Sequence, residues 1–241
     1  MRLSGFQALS FDCYGTLIDW KTGLSAVLRP WARDHDLDID DERLLAAYGR
    51  HETRIEVQTP TALYPEVVAR TMMAVGQDLG VPVSRAEGER LAASVPDWPA
   101  FPDSHDALVS LAEHYKLIVL SNVDRVSFRG SNQRLGVSFT EIITAEDVGS
   151  YKPSARNFEV LLARAAERGI GSDRLLHVAQ SLFHDHVPAK AAGLATVWIN
   201  RRHNRLGWGA TPAPTTSVTP DWEFPSMRSF AEACSQDRAA R

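Results

Sequence analysis

Short apolar runs alternate with longer amphipathic stretches over most of this chain. Phe6–Phe11, Lys116–Leu120, Glu141–Thr144, Leu175–Ala179 and Ala195–Asn200 are apolar runs of four to six residues bounded by polar or glycine-bearing turns, the pattern of strands buried on both faces. Asp103–His114 and Asn157–Glu167, which lie between such runs, carry apolar positions at helical spacing. Strand and helix therefore alternate, and the alternation predicts an α/β fold built on a parallel sheet.

From Trp20 to about Val95 the pattern changes. Leu24–Asp34, Asp41–Glu56, Pro65–Leu79 and Ser84–Ala93 are amphipathic at helical spacing and follow one another without a strand run between them. The expected organisation is a sheet-containing core of residues 1–19 and 97–241, interrupted by an all-helical insertion of residues 20–96. Three prolines between Val95 and Asp103 mark an extended connector returning to the sheet. Beyond Asn200 the Gly-, Pro- and Thr-rich stretch Arg201–Asp221 reads as a long loop, with Arg201-Arg202-His203 expected to be solvated, and a short helix follows near Met227–Cys234.

Composition narrows the class without naming a chemistry. The 241 residues are 44% hydrophobic and 23% charged, enough apolar surface for a packed core and unlike a disordered or collagen-like chain. A formal net charge of −4 offers no basic field for a phosphate backbone, so nucleic acid is not an expected partner. No stretch approaches the roughly 20 apolar residues of a membrane span, and the N-terminus lacks a basic region followed by a long apolar run. With Cys13 and Cys234 as its two cysteines the chain has no disulfide framework, and it reads as a cytoplasmic protein with no membrane partner.

In an open parallel sheet, ligands bind beyond the carboxyl ends of the strands, where the strand order reverses. The polar residues that end the runs are therefore the candidates: Asp12, Ser121 with Asn122, the loop around Lys152, and Gln180–Asp185. A carboxylate such as Asp12, on a tight turn after a strand, can attack an electrophilic carbon without first losing a proton. Gly15 lets the backbone turn sharply there, and Cys13, on the opposite face of an alternating strand, is expected to pack.

Four blocks in order carry a family resemblance: Phe11-Asp12-Cys13-Tyr14-Gly15-Thr16-Leu17, Leu120-Ser121-Asn122, Ser150-Tyr151-Lys152-Pro153 and Val178–Gly193. Each lies at an expected strand end or in the loop after it, and together they resemble the haloacid dehalogenase superfamily, within it the type II 2-haloacid dehalogenases. The resemblance covers nearly the whole chain and implies a Rossmann-like parallel-sheet core with an inserted all-helical cap. It implies that Asp12 is the nucleophile and that Lys152 holds it ionised and oriented. Ser121 would position Asp12, and the Asn122 amide would donate to a departing anion. Pro153 would take the first position of the next helix. Asp185 matches the family's final aspartate, activating the hydrolytic water or holding Lys152, with Ser181 or His184 assisting. The stretch Gln180-Ser181-Leu182-Phe183-His184-Asp185-His186 departs in spacing from the Ser-x-Asn-x-x-Asp of type II dehalogenases. Arg50 matches, by approximate alignment, the arginine those enzymes set against the leaving halide or the substrate carboxylate. Trp20, Tyr64 and Phe183 are the expected apolar walls of the substrate pocket, with Tyr14 beside the nucleophile.

Tyr14 also bears on metal chemistry. Phosphatases of this superfamily carry a second aspartate two residues after the nucleophile, as metal ligand and general acid/base, and further acidic residues near the position of Gln180. Here Tyr14 stands at the first place, and the first carboxylate after Gln180 is Asp185. Magnesium requires several hard oxygens, and His184-Asp185-His186 lacks the further ligands of a zinc site. No metal and no cofactor is expected.

The implied reaction is a two-step hydrolysis of a small 2-substituted carboxylic acid through an ester on Asp12, with the insertion closing over the site to exclude water. A 2-haloacid dehalogenase releasing a 2-hydroxy acid is the leading expectation. Phe11–Trp20, Trp98–Asp103 and Asp147–Pro153 also resemble the branch of the family that opens the strained ring of L-azetidine-2-carboxylate, where the leaving amine needs a proton and His184 is a candidate donor. A phosphatase is disfavoured by Tyr14, and a non-catalytic binding protein by the joint presence of Asp12, Asn122, Lys152 and Asp185. A homodimer is compatible with the resemblance.

Overall fold

Strand residues alternate between two separate apolar cores, and that alternation is what makes the sheet. In the computed structural model, which describes residues 2–203 and 210–240, β1 (Ala8–Phe11), β2 (Lys116–Ser121), β3 (Glu141–Thr144), β4 (Leu175–Ala179), β5 (Ala195–Ile199) and β6 (Trp222–Phe224) pair in parallel. Their order is β3-β2-β1-β4-β5-β6, a six-stranded Rossmann-like sheet. Leu9 and Phe11 pair with Leu117 and Val119 on one side and with Leu176 and Val178 on the other, and all face one core. Ala8, Ile118, Leu120 and Leu175 face the other. Both faces of β1 are buried, so its run needs no polar alternation.

Between β1 and β2 stand α1 (Trp20–Asp34), α2 (Asp41–Gln58), α3 (Tyr64–Asp78) and α4 (Arg85–Ser94). Their starts are written in the sequence. The Asp19 and Asp40 carboxylates accept from the Thr22 and Arg43 N–H groups, Pro65 lies in the first turn of α3, and Ser84 with Glu87 forms a capping box. A Cβ on Gly49 of α2 would lie 2.2 Å from the Ala210 carbonyl oxygen, so glycine there allows residues 210–212 to lie against the helix.

The sheet is covered by helices on both sides. α5 (Ser104–Ala112) and α6 (Arg125–Leu135) pack on the Phe11 face; α7 (Ala145–Val148), α8 (Ala155–Glu167) and α9 (Val187–Ala191) pack on the Ala8 face; and α10 (Met227–Ala239) returns to the first. Four elements, α6, α7, α9 and β6, lie outside the sequence expectations. α6 is polar overall, but Asp124 caps it by accepting from Val126 and Ser127 N–H groups and Gly136 ends it in the left-handed region. β6 is three residues long and half-exposed, too short for a periodic signal. The last helix runs on past Cys234 to Ala239.

Two local expectations are corrected. Pro153 precedes α8 instead of starting it, and its peptide bond with Lys152 is cis. Arg201 is not solvated: its guanidinium lies 3.9 Å over the Phe101 ring, pairs with Asp103 and donates to the Thr16 carbonyl. Of the expected loop Arg201–Asp221, residues 204–209 lie outside the described residues. No helix among the described residues is long and apolar enough to cross a membrane.

Candidate active site

β1 lies at the centre of the sheet, between β2 and β4, so its carboxyl end opens where the strand order reverses. Asp12 is the first residue beyond it, and its N–H still donates to the Val178 carbonyl at 3.1 Å, which fixes the base of the side chain. Gly15, at φ +94°, takes a turn that side chains avoid and brings Thr16 back beneath the carboxylate. The Thr16 hydroxyl donates to Asp12 Oδ2 at 2.5 Å and accepts from the Gln180 N–H at 2.9 Å. Lys152 Nζ donates to Asp12 Oδ1 (2.9 Å), Asp185 Oδ1 (2.7 Å) and the Leu120 carbonyl (3.0 Å), which uses all three of its hydrogens. On β4, His177 Nε2 lies 3.1 Å from the same Asp185 oxygen, while its Nδ1 pairs with Ser10 Oγ across β1 at 2.9 Å.

These charges are buried together, and each state follows from its neighbours. Burial alone would lower the Lys152 pKa, but the two carboxylates outweigh it and hold the ammonium charged. Burial would raise Asp185; Lys152 and His177 reverse this and hold it below the ordinary carboxylate range. For Asp12, burial raises the pKa, with Lys152 opposing it and Asp185 adding to it. The Lys152 ammonium bridges the two carboxylates that a divalent cation would need, and among the described residues no group of three metal-ligating side chains comes together. The residues present do not fit magnesium.

Above this cluster is a cavity of about 80 Å³. From the sheet side Asp12, Tyr14, Asn122, Lys152, Ser181, His184 and Asp185 line it, and from the helical insertion Trp20, Tyr64, Thr53, Glu52 and Glu56 do, with residues 210–212 at one edge. Tyr14 is fixed by a 2.6 Å hydrogen bond to Ser131 Oγ and an edge-on contact with Trp98.

The other expected site residues lie elsewhere or act differently. Arg50 is exposed and does not line the cavity. At 3.6 residues per turn it stands about 200° around α2 from Glu52, so a helix that turns Glu52 inward turns Arg50 outward. Phe183 stands behind His184, edge-on at 4.8 Å, outside the lining. Ser121 is buried, but its Oγ makes no hydrogen bond, and Thr16 holds Asp12 in its place. The Asn122 amide is occupied: Oδ1 accepts from the Lys152 N–H at 2.7 Å, and Nδ2 donates to the Lys152 carbonyl at 3.1 Å and leans on Glu56 at 3.4 Å. Asn122 thus fixes the lysine loop instead of waiting for an anion.

Thr16, Glu52 and Glu56 are functional candidates that sequence reasoning passed over. A signal was present for the pair: Tyr48, Glu52 and Glu56 recur every four residues on the face of α2 that also buries Leu44, so these carboxyls sit at core-facing positions. Burial pushes the Glu52 carboxyl up to about 7, against the hydrogen bond it accepts from Tyr64, and pushes Glu56 well above its ordinary value. A group raised in the folded state stabilises fully below its unfolded pKa, and that contribution is lost as pH rises through the folded one. The melting temperature is therefore expected to fall between pH 4.5 and 7 through Glu52, and Glu52→Gln should flatten that fall in parallel thermal scans. An unchanged slope would mean that Glu52 is not the titrating group.

Comparisons with known proteins agree with this architecture. The sequence model described as haloacid dehalogenase-like hydrolase matches residues 9–199. A glyceraldehyde 3-phosphate phosphatase from Methanothermobacter thermautotrophicus is 31% identical over 103 residues, and the match spans 42% of this chain and 44% of that relative. Among solved structures, a defluorinating L-2-haloacid dehalogenase superposes with a TM-score of 0.76 at 22% identity, covering 98% of this chain and 97% of that one. The L-2-haloacid dehalogenase of Xanthobacter autotrophicus gives 0.77 at 17% identity, over 94% and 97%. At these identities the structural likeness establishes the fold.

Proposed function

Because the chain belongs to the haloacid dehalogenase-like hydrolase family, we propose that it displaces a leaving group from C2 of a small carboxylic acid by attack of Asp12 and hydrolyses the resulting ester. One observation carries this reading: a buried aspartate, held by Thr16 and an ammonium that also binds Asp185, lines a small cavity walled on its other side by the helical insertion. In the first step an Asp12 oxygen bonds to C2 as the bond from C2 to the leaving group breaks, its electron pair departing with that group. Lys152 and Thr16 orient the carboxylate throughout. In the second step water adds to the Asp12 carbonyl carbon and the acyl–oxygen bond breaks, so the product hydroxyl oxygen comes from Asp12. His184 Nε2 is buried, unpartnered and on the cavity wall, and burial lowers the imidazole to about 4, so it is neutral and able to accept that water's proton.

With a 2-haloacid the leaving group is halide and the product a 2-hydroxy acid, the substrate class named for the dehalogenase structures of the same fold. A second reading, opening of the L-azetidine-2-carboxylate ring at its C–N bond, is favoured by a specific observation. Arg50 lies outside the cavity, and among the described residues the lining's cation is Lys152, already bonded to two carboxylates. Among the described residues the lining therefore offers a departing halide no uncommitted positive charge.

The test is a substrate panel in excess EDTA: L- and D-2-chloropropionate, L-azetidine-2-carboxylate and p-nitrophenyl phosphate. Hydrolysis of a 2-substituted acid, unchanged by chelation, is expected, with no phosphate release. Turnover of neither acid, or phosphate release that magnesium restores, would overturn the reading.

A further inference from the structure

A small carboxylic acid brings a carboxylate into the cavity, and a buried carboxylate needs donors. Most side-chain donors of the lining are committed. The Tyr14 hydroxyl is bonded to Ser131 Oγ, the Tyr64 hydroxyl donates to Glu52, the Thr53 hydroxyl donates to the Gly49 carbonyl, and the Ser181 hydroxyl is paired with His184 Nδ1. The Asn122 amide is spent on the lysine loop, and the Lys152 ammonium on the two aspartates and a carbonyl. Besides His184 Nε2, which accepts a proton in the second step, two groups of the lining have no partner for their N–H among the described residues: the Trp20 indole Nε1 and the Gln180 amide Nε2.

These two groups converge. A Cβ at position 15 would lie 3.1 Å from Trp20 Nε1 and 3.2 Å from Gln180 Oε1, so both half-buried head groups stand over the turn that follows Asp12. The Thr211 hydroxyl donates to Gln180 Oε1 at 3.4 Å, which leaves the NH₂ as the unpaired end of the amide. The Gln180 backbone is pinned on both sides. Its N–H donates to Thr16 Oγ1 at 2.9 Å, and its carbonyl accepts from Trp198 Nε1 at 2.9 Å. Thr16 also holds Asp12, so the backbone that carries the amide is registered to the nucleophile.

We propose that the Trp20 indole N–H and the Gln180 amide NH₂ form a neutral two-donor clamp for the substrate carboxylate, which sets C2 against Asp12. The clamp deepens the reading of Asp12 as nucleophile and rests on it. Neutral donors suit this site. The cluster beneath already sets two carboxylates against one ammonium, and a further anion held by hydrogen bonds does not draw Lys152 away from Asp12. The clamp also fills the place expected of Arg50, which lies outside the cavity. Gly15 gains a second duty, because a side chain there would fill the gap between the donors. A phosphate ester, with three outer oxygens and a second charge, would leave oxygens without a donor.

The test reads binding apart from turnover, by calorimetry with L-lactate and with L-lactamide, which differs from it in the carboxylate alone. Trp20→Phe keeps an aromatic ring and removes the N–H. Gln180→Leu removes the amide, and the bonds to Thr16 and Trp198, being made by the backbone, survive it. Each variant is expected to weaken lactate roughly 10-fold or more, the scale of a hydrogen bond to a charged group, and to weaken lactamide by a smaller factor. Gln180→Glu, similar in shape but with acceptors for donors, should abolish lactate binding. On a 2-substituted acid that is turned over, the same variants should raise KM with a much smaller change in kcat, since the clamp holds ground and transition states alike. Equal losses for lactate and lactamide, or equal affinity of the parent for the two, absence of binding included, overturn the clamp. So does lactate affinity that is unmoved in Trp20→Phe and Gln180→Glu. Turnover with KM unmoved in the variants overturns the clamp alone, whereas lactate binding that follows the clamp, with turnover of no 2-substituted acid, overturns the Asp12 reading.

Discussion

Asp12→Asn is expected to reduce turnover by roughly 10⁴–10⁶-fold, the scale on which removal of a covalent nucleophile acts, and to leave the protein as stable as the parent or more so. The two halves of this expectation have one origin. Lys152 is shared between Asp12 and Asp185, so the buried cluster holds two carboxylates against one ammonium. Replacing Asp12 by its amide leaves a one-to-one pair between Lys152 and Asp185, still hydrogen-bonded to the Leu120 carbonyl and to His177. The Thr16 hydroxyl keeps an oxygen to donate to. The desolvation that raises Asp12 is relieved, while the pairing that holds Asp185 low is kept. Chemistry is lost for a different reason: an amide oxygen is a poor nucleophile. The check is kcat on the hydrolysed acid alongside a melting curve. A single turnover of the unaltered enzyme in ¹⁸O-water adds the direct test. Label should enter the Asp12 side chain, raising the mass of its peptide by about 2 Da, while the first product released carries none. Retained activity in the variant, or label appearing at once in the product, would remove Asp12 from the reaction.

The fold was legible because its two periodicities are distinct. Runs such as Leu175–Ala179 and Glu141–Thr144 match strands β4 and β3 at both ends, although β4 is buried throughout while β3 opens on a half-buried Glu141 and an exposed Ile142. The helical stretches between Trp20 and Val95 correspond to α1–α4. Where tertiary contacts outweigh local pattern, the sequence was silent. α6 is too polar to show a face, and β6 exists because Trp222–Phe224 pairs with Val197–Ile199. In the site, residues tied to strand ends were readable: topology alone brings Asp12, Asn122 and Asp185 to one opening, and the cis-proline loop adds Lys152. Side-chain direction was not. Arg50 and Glu52 differ by two positions on one helix, and which of them faces the nucleophile depends on how α2 rolls against α3 and residues 210–212. The partners of Asn122 likewise depend on packing that no local spacing encodes. Thr16 sits inside the first motif block and gained its role only when the Gly15 turn was seen to fold it back on Asp12.

Lys152→Met carries the second large effect, and it tests the electrostatics independently of substrate. Removing one partner from a buried charge cluster costs about 3–5 kcal/mol, because the charges left behind keep their desolvation penalty and lose its compensation. Here two carboxylates would be left, with a side chain of similar length filling the space of the lysine stem. The pH dependence fixes the cause. With Lys152 present, Asp185 is held below its unfolded pKa, so its contribution to stability is present above that value and lost as pH falls through the depressed one. Without the ammonium, burial dominates both carboxyls and raises them above their unfolded values. The native state then binds more protons than the unfolded chain, and stability falls as pH rises through the raised values. The gap between parent and variant in denaturant unfolding should therefore be widest near pH 8 and close as the pH is lowered towards 5. Turnover should be lost over the same range, since a protonated Asp12 carboxyl is a far weaker nucleophile towards C2 than its carboxylate. A Lys152→Met/Asp185→Asn double variant removes one of the stranded charges and should recover a large part of the lost stability without recovering activity. If the gap were independent of pH, or below about 1 kcal/mol as for an exposed pair, the lysine would be packing against the aspartates and not holding them ionised. The nucleophile would then need another source of its charge.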